Sequence, residues 1–412
     1  MPETSSGQEH PVPRVVMLCA AFPPDFSGAG LQASRLTEAL GRAGVTIRVL
    51  TTGRAPANPP RSSAAEIRRF RAPRWGQAHG IVFGVRAAWW LLTHSRWDVL
   101  HVHGFSLFAL LPALVARLRG RPVIVKVTLL GGDDPGSRRR EVFGPLLFAV
   151  YRRVSAIVAL SEEMERTIQE DPSVLAHVYR IPNGVDTDLF RPPTNEERDA
   201  SRARFRIPRD ALVVVTTGAI ISRKDPICLL EAAARMRGRP VWILLIGPRD
   251  PDPGYAERVD AVISGLPEGV TGNCMGRLSS PEVAEVLWAA DVFALNSRAE
   301  GFPNSLVEAM ATGLPCVATD IPGSRDALSG GGGNLVPVGE PNALADALDR
   351  LAESPDQRTR LGRQGSMVVG TRYGMERVAR RYLEVYRELM KSISPRRDPS
   401  LESGPGRAGA AR

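Results

Sequence analysis

Short apolar runs of three to six residues recur along this chain in two series, each run followed by a turn and a stretch of helical periodicity. A run of that length bounded by turn residues reads as a strand buried on both faces. Such strands alternating with amphipathic helices require a parallel sheet covered on both sides. The first series places strands at residues 14–19, 45–50, 99–102, 123–127, 156–159 and 179–181. The second places them at 212–217, 241–246, 270–274, 292–295, 316–319 and 334–336. Between them Arg191-Pro-Pro-Thr-Asn-Glu-Glu-Arg-Asp199 is charged and proline-bearing, which reads as a linker or a short exposed helix.

A length of 412 residues exceeds one ordinary core and suits two. The expected fold class is therefore α/β with two doubly wound domains. Their expected limits are 14–190 and 210–374, joined by a linker at 191–209 and followed by a long amphipathic helix at 375–391. The polar stretches 1–13 and 392–412 are expected to be disordered. The chain opens as β-α-β: an apolar strand at 14–19, a Gly/Pro-rich turn carrying Gly28 and Gly30, and a helix bearing Leu31, Leu36, Ala39 and Leu40.

Hydrophobic residues at 43% and charged residues at 24% are ordinary for a soluble globular chain. The four cysteines, Cys19, Cys228, Cys274 and Cys316, lie far apart and form neither a disulfide framework nor a zinc pattern. The N-terminus lacks the basic-then-apolar order of a signal peptide, and the longest apolar stretch, residues 105–116, is shorter than the roughly 20 residues a spanning helix needs. A cytoplasmic protein is expected. The net charge of +9 raises the alternative of a nucleic-acid-binding protein, but the charge is scattered and no recognition motif accompanies it. Nearly all of it is arginine; the only lysines are Lys126, Lys224 and Lys391. Where arginine has replaced lysine almost everywhere, a surviving lysine points to a place that requires a compact ammonium.

The most informative segment is Asn296-Ser-Arg-Ala-Glu300-Gly-Phe-Pro-Asn-Ser-Leu-Val-Glu308-Ala-Met-Ala-Thr-Gly-Leu-Pro315. It follows the apolar run 292–295, so it sits at a strand's carboxyl end, where open α/β sheets bind ligands. Gly301 and Pro303 break any continuous helix, so a helix starts near Asn304 or Ser305 with its amides free to meet a phosphate or sugar hydroxyls. As an isolated pair, Glu300 and Glu308 read as solvated acids. The apolar Ala309-Met-Ala that packs this helix places Glu308 beside a buried face, where an acid needs a partner.

Glu300-x7-Glu308 within this segment resembles the signature of glycosyltransferase family 4, a retaining family with the GT-B fold. The resemblance implies two Rossmann-like domains facing a cleft, with the C-terminal helix crossing back to the first domain. It also implies a nucleotide-sugar donor held by the second domain. Glu300 would contact the donor sugar near its reacting carbon and Glu308 the ribose hydroxyls. Gly301, Phe302, Asn304, Ser305 and Leu306 would supply the amides between them. Thr217-Gly218-Ala-Ile-Ile-Ser-Arg223-Lys224-Asp225-Pro resembles the family's phosphate loop, which assigns donor contacts to Gly218 and Lys224. The family's usual Arg after the glycine is Ala219 here, leaving Arg223 as the replacement, and the usual Gly after the lysine is Asp225. Ile181-Pro-Asn-Gly-Val-Asp-Thr-Asp-Leu-Phe190-Arg-Pro resembles the hinge, and Gly330-Gly-Gly-Gly-Asn-Leu-Val-Pro-Val a late segment of the family.

In the first domain, Asp98-Val-Leu-His101-Val-His103-Gly resembles a strand end facing the acceptor, with His103 the candidate catalytic group and a packed histidine the alternative. The customary His-Gly after a Pro-Val-Val strand is missing. Pro122-Val-Ile-Val-Lys126-Val-Thr128-Leu-Leu-Gly131-Gly-Asp-Asp134 stands there, with Lys126, Thr128, Gly131 and Asp133 as polar candidates and Asp133-Asp134 expected in an exposed turn. Asp186-Thr-Asp188 reads as hinge and Asp250-Pro-Asp252 as a turn, so no metal or other cofactor is expected. A glycan, lipid-linked or small-molecule acceptor follows from the resemblance. The mixture of apolar residues and arginines over 83–153 reads as core helices with solvated arginine edges, with peripheral contact with the inner face of an anionic membrane as the alternative. A nucleotide-sugar epimerase or hydrolase of the same fold is the remaining enzymatic alternative.

Overall fold

The protein is described here from a computed structural model covering residues 12–25, 27–53, 65–73, 76–140, 143–236, 238 and 240–393. The apolar runs become two parallel sheets. The first contains β1 (Arg14–Cys19), β2 (Thr46–Thr52), β3 (Ala65–Phe70), β4 (Val99–His103), β5 (Val123–Lys126), β6 (Ala156–Ala159) and β7 (His177–Arg180), in the order β3-β2-β1-β4-β5-β6-β7. The second contains β8 (Leu212–Thr217), β9 (Val241–Ile246), β10 (Val270–Gly276), β11 (Val292–Leu295), β12 (Cys316–Thr319) and β13 (Gly333–Val336), ordered β10-β9-β8-β11-β12-β13. The central strands are buried along their whole length, as their mostly apolar make-up requires, with His101, His103 and Lys126 as buried polar exceptions.

In each sheet the order reverses direction once, at β1/β4 and at β8/β11. Loops leaving adjacent strands at such a reversal depart to opposite faces and open a crevice at the carboxyl ends. The second sheet thus brings the loop after β8 and the loop after β11, which carry Lys224 and Glu300, to one place.

Two differences from the sequence reading have physical causes. The strand Ala65–Phe70 pairs on the outer edge of β2, and its half-exposed alternation, Ala-Glu-Ile-Arg-Arg-Phe, contains no apolar run to betray it. Of the two readings of the segment between the domains, a linker or a short exposed helix, the structure takes the helix, Asn195–Arg204, started by a capping box between Thr194 and Glu197. That helix belongs to the second domain. Arg198 donates to the carbonyls of Trp288 (3.0 Å) and Ala290 (2.6 Å), and both Arg198 and Arg202 reach Asp291.

The helix Met375–Ile393 crosses back to the first domain. Met375, Val378, Tyr382 and Tyr386 enter one core with Val15, Met17, Ile124 and Val158. A single parallel bridge between Val185 and Gly374 ties the outgoing hinge to the returning segment. Apart from residues 12–13 and 392–393, the termini expected to be disordered lie outside the described residues. Among the described residues no helix is long and apolar enough to cross a membrane.

Candidate active site

The floor of the site is backbone. Gly218 ends β8, and a Cβ on the neighbouring Gly247 would stand 1.9 Å from the Gly218 carbonyl oxygen, so the two strand ends meet at a distance only glycine permits. Across Gly218 lies the aliphatic stem of Lys224; a Cβ on Gly218 would sit 3.2 Å from its Cε. The turn that aims Lys224 inward is closed by Asp225 in the left-handed region, φ +46°. This explains why the position favours glycine in the resembling family, and what makes Asp tolerable here. Its carboxylate accepts from Arg298 (2.6 Å) and lies 3.4 Å from the Tyr255 hydroxyl, while its carbonyl accepts from Asn296 (3.2 Å).

Lys224 reaches Glu300. The two side chains are hydrogen-bonded, Ser297 donates to the same carboxylate oxygen at 2.6 Å, and Arg223 stands 3.3 Å from the other oxygen. Burial by itself would raise the Glu300 carboxyl, but Lys224 and Arg223 with these hydrogen bonds hold it below its ordinary value. Glu300 is therefore a fixed anion at neutral pH, clamped by two cations at the mouth of a cleft. Arg223 also donates to the Ala299 carbonyl (2.6 Å), so it braces the loop while facing the cleft.

The helix Asn304–Ala311 begins after Pro303, and no side chain caps it. Its first turn points into the cleft, which Phe302, Asn304, Ser305 and Glu308 line together with Gly218, Ala219, Arg223 and Lys224. Asn183 of the hinge donates to the Asn304 side chain at 2.7 Å, fixing that helix start to the segment joining the domains. From the first domain, Gly28, Leu31 and Arg35 complete the wall. Arg35 donates to Glu308 at 2.6 Å, with both side chains 9% exposed.

Several expected residues lie elsewhere. The Leu306 side chain is in the core and its amide bonds the Pro303 carbonyl, so that amide is not free. Gly301 faces the first domain: a Cβ there would come within 1.9 Å of the Thr128 carbonyl oxygen. Gly30 packs on the Ala21 carbonyl, while Gly28 does line the cleft. His103 is 4% exposed and absent from the cleft wall. It shares a sheet face with His101, the two rings tilted with centroids 4.2 Å apart, and at His101 that face is covered by the C-terminal helix, where His101 meets the Tyr386 hydroxyl at 2.7 Å. Asp133 and Asp134, expected in an exposed turn, are 5% and 8% exposed. They are buried because they build the loop: Asp133 accepts from Thr128 and Leu129 amides, and Asp134 from Gly131 and Ser137. Lys126 is also buried, which lowers its amine to about 7. Asp186 accepts from Asp188 and Leu189 amides, Asp250 pairs with Arg277, and Asp252 caps the helix Pro253–Ser264. Both Asp-x-Asp triplets thus have structural work. Among the described residues no three His, Cys, Asp or Glu side chains converge.

The sequence reading missed Arg35, Phe190 and Arg277 on the cleft wall. The only signal for Arg35 was two polar residues, Gln32 and Arg35, spaced one helical turn apart beside the apolar positions of the first helix.

Two doubly wound domains enclosing a cation-lined crevice at the switch point of the second define the GT-B class of glycosyltransferase. Solved structures agree on the fold. Sucrose-phosphate synthase from Thermosynechococcus elongatus superimposes with a TM-score of 0.77 at 22% identity, over 92% of this chain and 100% of that one. HepE of Anabaena, solved in complex with UDP and glucose, gives 0.74 at 17% identity over 91% and 100%. The family model for glycosyl transferases group 1 matches residues 197–367, and that for the glycosyl transferase 4-like domain matches residues 27–184. Among curated relatives, a D-inositol 3-phosphate glycosyltransferase of Streptomyces bingchenggensis is 30% identical, covering 76% of this chain and 70% of its own. D-inositol 3-phosphate glycosyltransferase 1 of Catenulispora acidiphila is 29% identical over 82% and 80%. The chain belongs to the group 1 glycosyl transferases and is a glycosyltransferase.

Proposed function

We propose that this enzyme moves a hexose-type sugar from a nucleotide-sugar to an acceptor, with retention of anomeric configuration and without a metal. The observation that carries this reading is the Glu300–Lys224–Arg223 cluster facing the uncapped start of the helix Asn304–Ala311. A departing diphosphate needs fixed cations and free amides, and this cradle supplies both from rigid elements. Glu300 lies where it can meet the sugar as positive charge develops at the reacting carbon, and Glu308 where it can meet the ribose. The Glu300 carboxylate is engaged by Lys224, Ser297 and Arg223 and so is not free as a covalent nucleophile, which favours front-face substitution assisted by the leaving phosphate.

A UDP-sugar is the favoured donor, with a GDP-sugar second. The curated relatives' names favour a small-molecule acceptor over a glycan or a lipid-linked one, and a place in cell-surface polysaccharide or glycolipid synthesis remains part of the reading. Nucleotide release measured across nucleotide-sugars, with and without acceptors, tests it. Acceptor-stimulated release of UDP or GDP is expected; an epimerase would show no release at steady turnover, and an inverted product by NMR would refute retention.

A membrane-facing surface belongs to the same reading. The helix Gly76–Thr93 exposes Ile81, Val85, Trp89 and Leu92 along one stripe, and Leu107–Leu118 exposes Leu111, Leu114 and Leu118 beside it. Trp89 at 68% and Leu118 at 77% exposure exceed what isolated surface hydrophobics require. Exposed Arg86 and Arg117 on the same helices suit an anionic lipid surface at the cytoplasmic face. Co-sedimentation with phosphatidylglycerol vesicles at low salt is expected, and loss of it in Trp89→Ser/Leu118→Ser. No binding by the unaltered protein would remove the idea.

A further inference from the structure

Arg35 stands on the helix Gly28–Arg42 of the first domain, yet its one ionic partner is Glu308 on the donor helix of the second, 273 residues away. The guanidinium is held on two sides. Nη1 donates to Glu308 Oε1 at 2.6 Å, and Cζ lies 5.3 Å from the centre of the Phe190 ring, so the hinge phenylalanine covers its face. Both charged groups line the donor cleft and both are nearly buried, at 9% side-chain exposure each. A pair this dry is not a surface ion pair of marginal effect, since each partner would be costly to leave alone. Among the described residues no other group bonds the second Glu308 oxygen.

A carboxylate that is to receive vicinal hydroxyls must hold its plane at a fixed angle. Left free on a helix, a glutamate samples several rotamers. Arg35 removes that freedom by occupying Oε1, which leaves Oε2 of this cleft-lining residue to accept. We propose that Arg35 is a positioning residue for ribose recognition, contributed by the first domain to a nucleotide site built mainly by the second. This rests on the reading of the cleft as a nucleotide-sugar site. It adds that discrimination for the ribose hydroxyls is complete only when the two domains are closed on each other. Lysine would not substitute, because a point ammonium neither stacks on Phe190 nor fixes the carboxylate plane.

The test is titration calorimetry of the full chain with UDP, GDP and ADP, followed by the 2′,3′-dideoxy form of whichever binds tightest. The unaltered protein is expected to prefer the ribose form by at least about tenfold, the scale of a lost pair of hydrogen bonds to a charged group. In Arg35→Met and Arg35→Lys that preference is expected to shrink several-fold or more, with the dideoxy form binding nearly as before. Because Arg35→Met leaves Glu308 buried and unpaired, Arg35→Met/Glu308→Gln is measured alongside, with melting temperatures for all. The double variant should fold and discriminate no better than Glu308→Gln alone. Unchanged ribose preference in folded Arg35→Met overturns the proposal while leaving the nucleotide site intact. Failure of the unaltered protein to bind any of the three nucleotides overturns both.

Discussion

Glu300 is held by three neighbours from two loops, and each acts on a different property of its carboxylate. Lys224 and Arg223 keep it ionised, and Ser297 sets its orientation. Glu300→Gln removes the charge and preserves the shape, so turnover is expected to fall by tenfold or more while melting temperature moves little, read from steady-state kinetics beside a thermal melt. Lys224→Met is expected to weaken the donor by about 1–3 kcal/mol, the scale of one charge-assisted contact, read by calorimetry with the nucleotide product. These two residues were legible in the sequence because the groups that give them meaning are neighbours along the chain. Lys224 stood out among three lysines, and Glu300 sits in a strand–turn–helix whose punctuation is local. Arg35 was not legible, since its partner is in the other domain.

At the scale of elements, β4 shows what alternation leaves out. The period of two places His101 and His103 on one face, but which layer covers that face depends on the helix Met375–Ile393, far away in sequence. That helix covers His101, and His103 beside it is buried on the same face, so the candidate cleft residue is a packed one. Burial first, then for His103 the competing protonation of His101, and for both the positive charge of Lys126, hold the imidazoles well below their ordinary value of 6.5. The unfolded chain takes up protons below that value and the folded chain does not, so stability is expected to fall as pH drops through about 6.5. Melting temperature followed from pH 8 to about 5.5 should show the loss, and His103→Leu should show less of it; a flat profile in the unaltered protein would contradict the account. The helix Asn195–Arg204 makes the same point from the other side. Its capping box is written plainly in Thr194 and Glu197, while its allegiance to the second domain depends on Asp291, invisible until folding brings it near.

For the molecule as a whole, the two domains touch through backbone at Gly301 and Thr128 and through charge at Arg35 and Glu308. Gly301→Ala would put a methyl group 1.9 Å from the Thr128 carbonyl oxygen, which the closed arrangement cannot accommodate. The second domain has room to fold unchanged, so the expected result is a larger radius of gyration by solution scattering and a lower kcat/KM, with nucleotide binding to the second domain partly kept. The two-domain plan itself was readable, because each domain repeats the alternation of apolar run and helix within its own stretch of chain. The cleft was only half readable, because its first-domain wall faces residues that no local pattern names.

The helix Met375–Ile393 belongs by sequence to the end of the chain and by packing to its beginning. During synthesis the ribosome releases the first domain's strands and the helix Gly28–Arg42 long before it delivers Met375, Tyr382 and Tyr386, so that sheet must wait with part of one face uncovered while the entire second domain emerges. The order of maturation is therefore the reverse of the order of translation: the later domain has all its parts first, and the earlier one is sealed by a helix that leaves the tunnel after the whole second domain. A truncated product cannot seal its first domain, so premature termination yields an exposed apolar face of the kind chaperones and proteases recognise, and not a half-active enzyme.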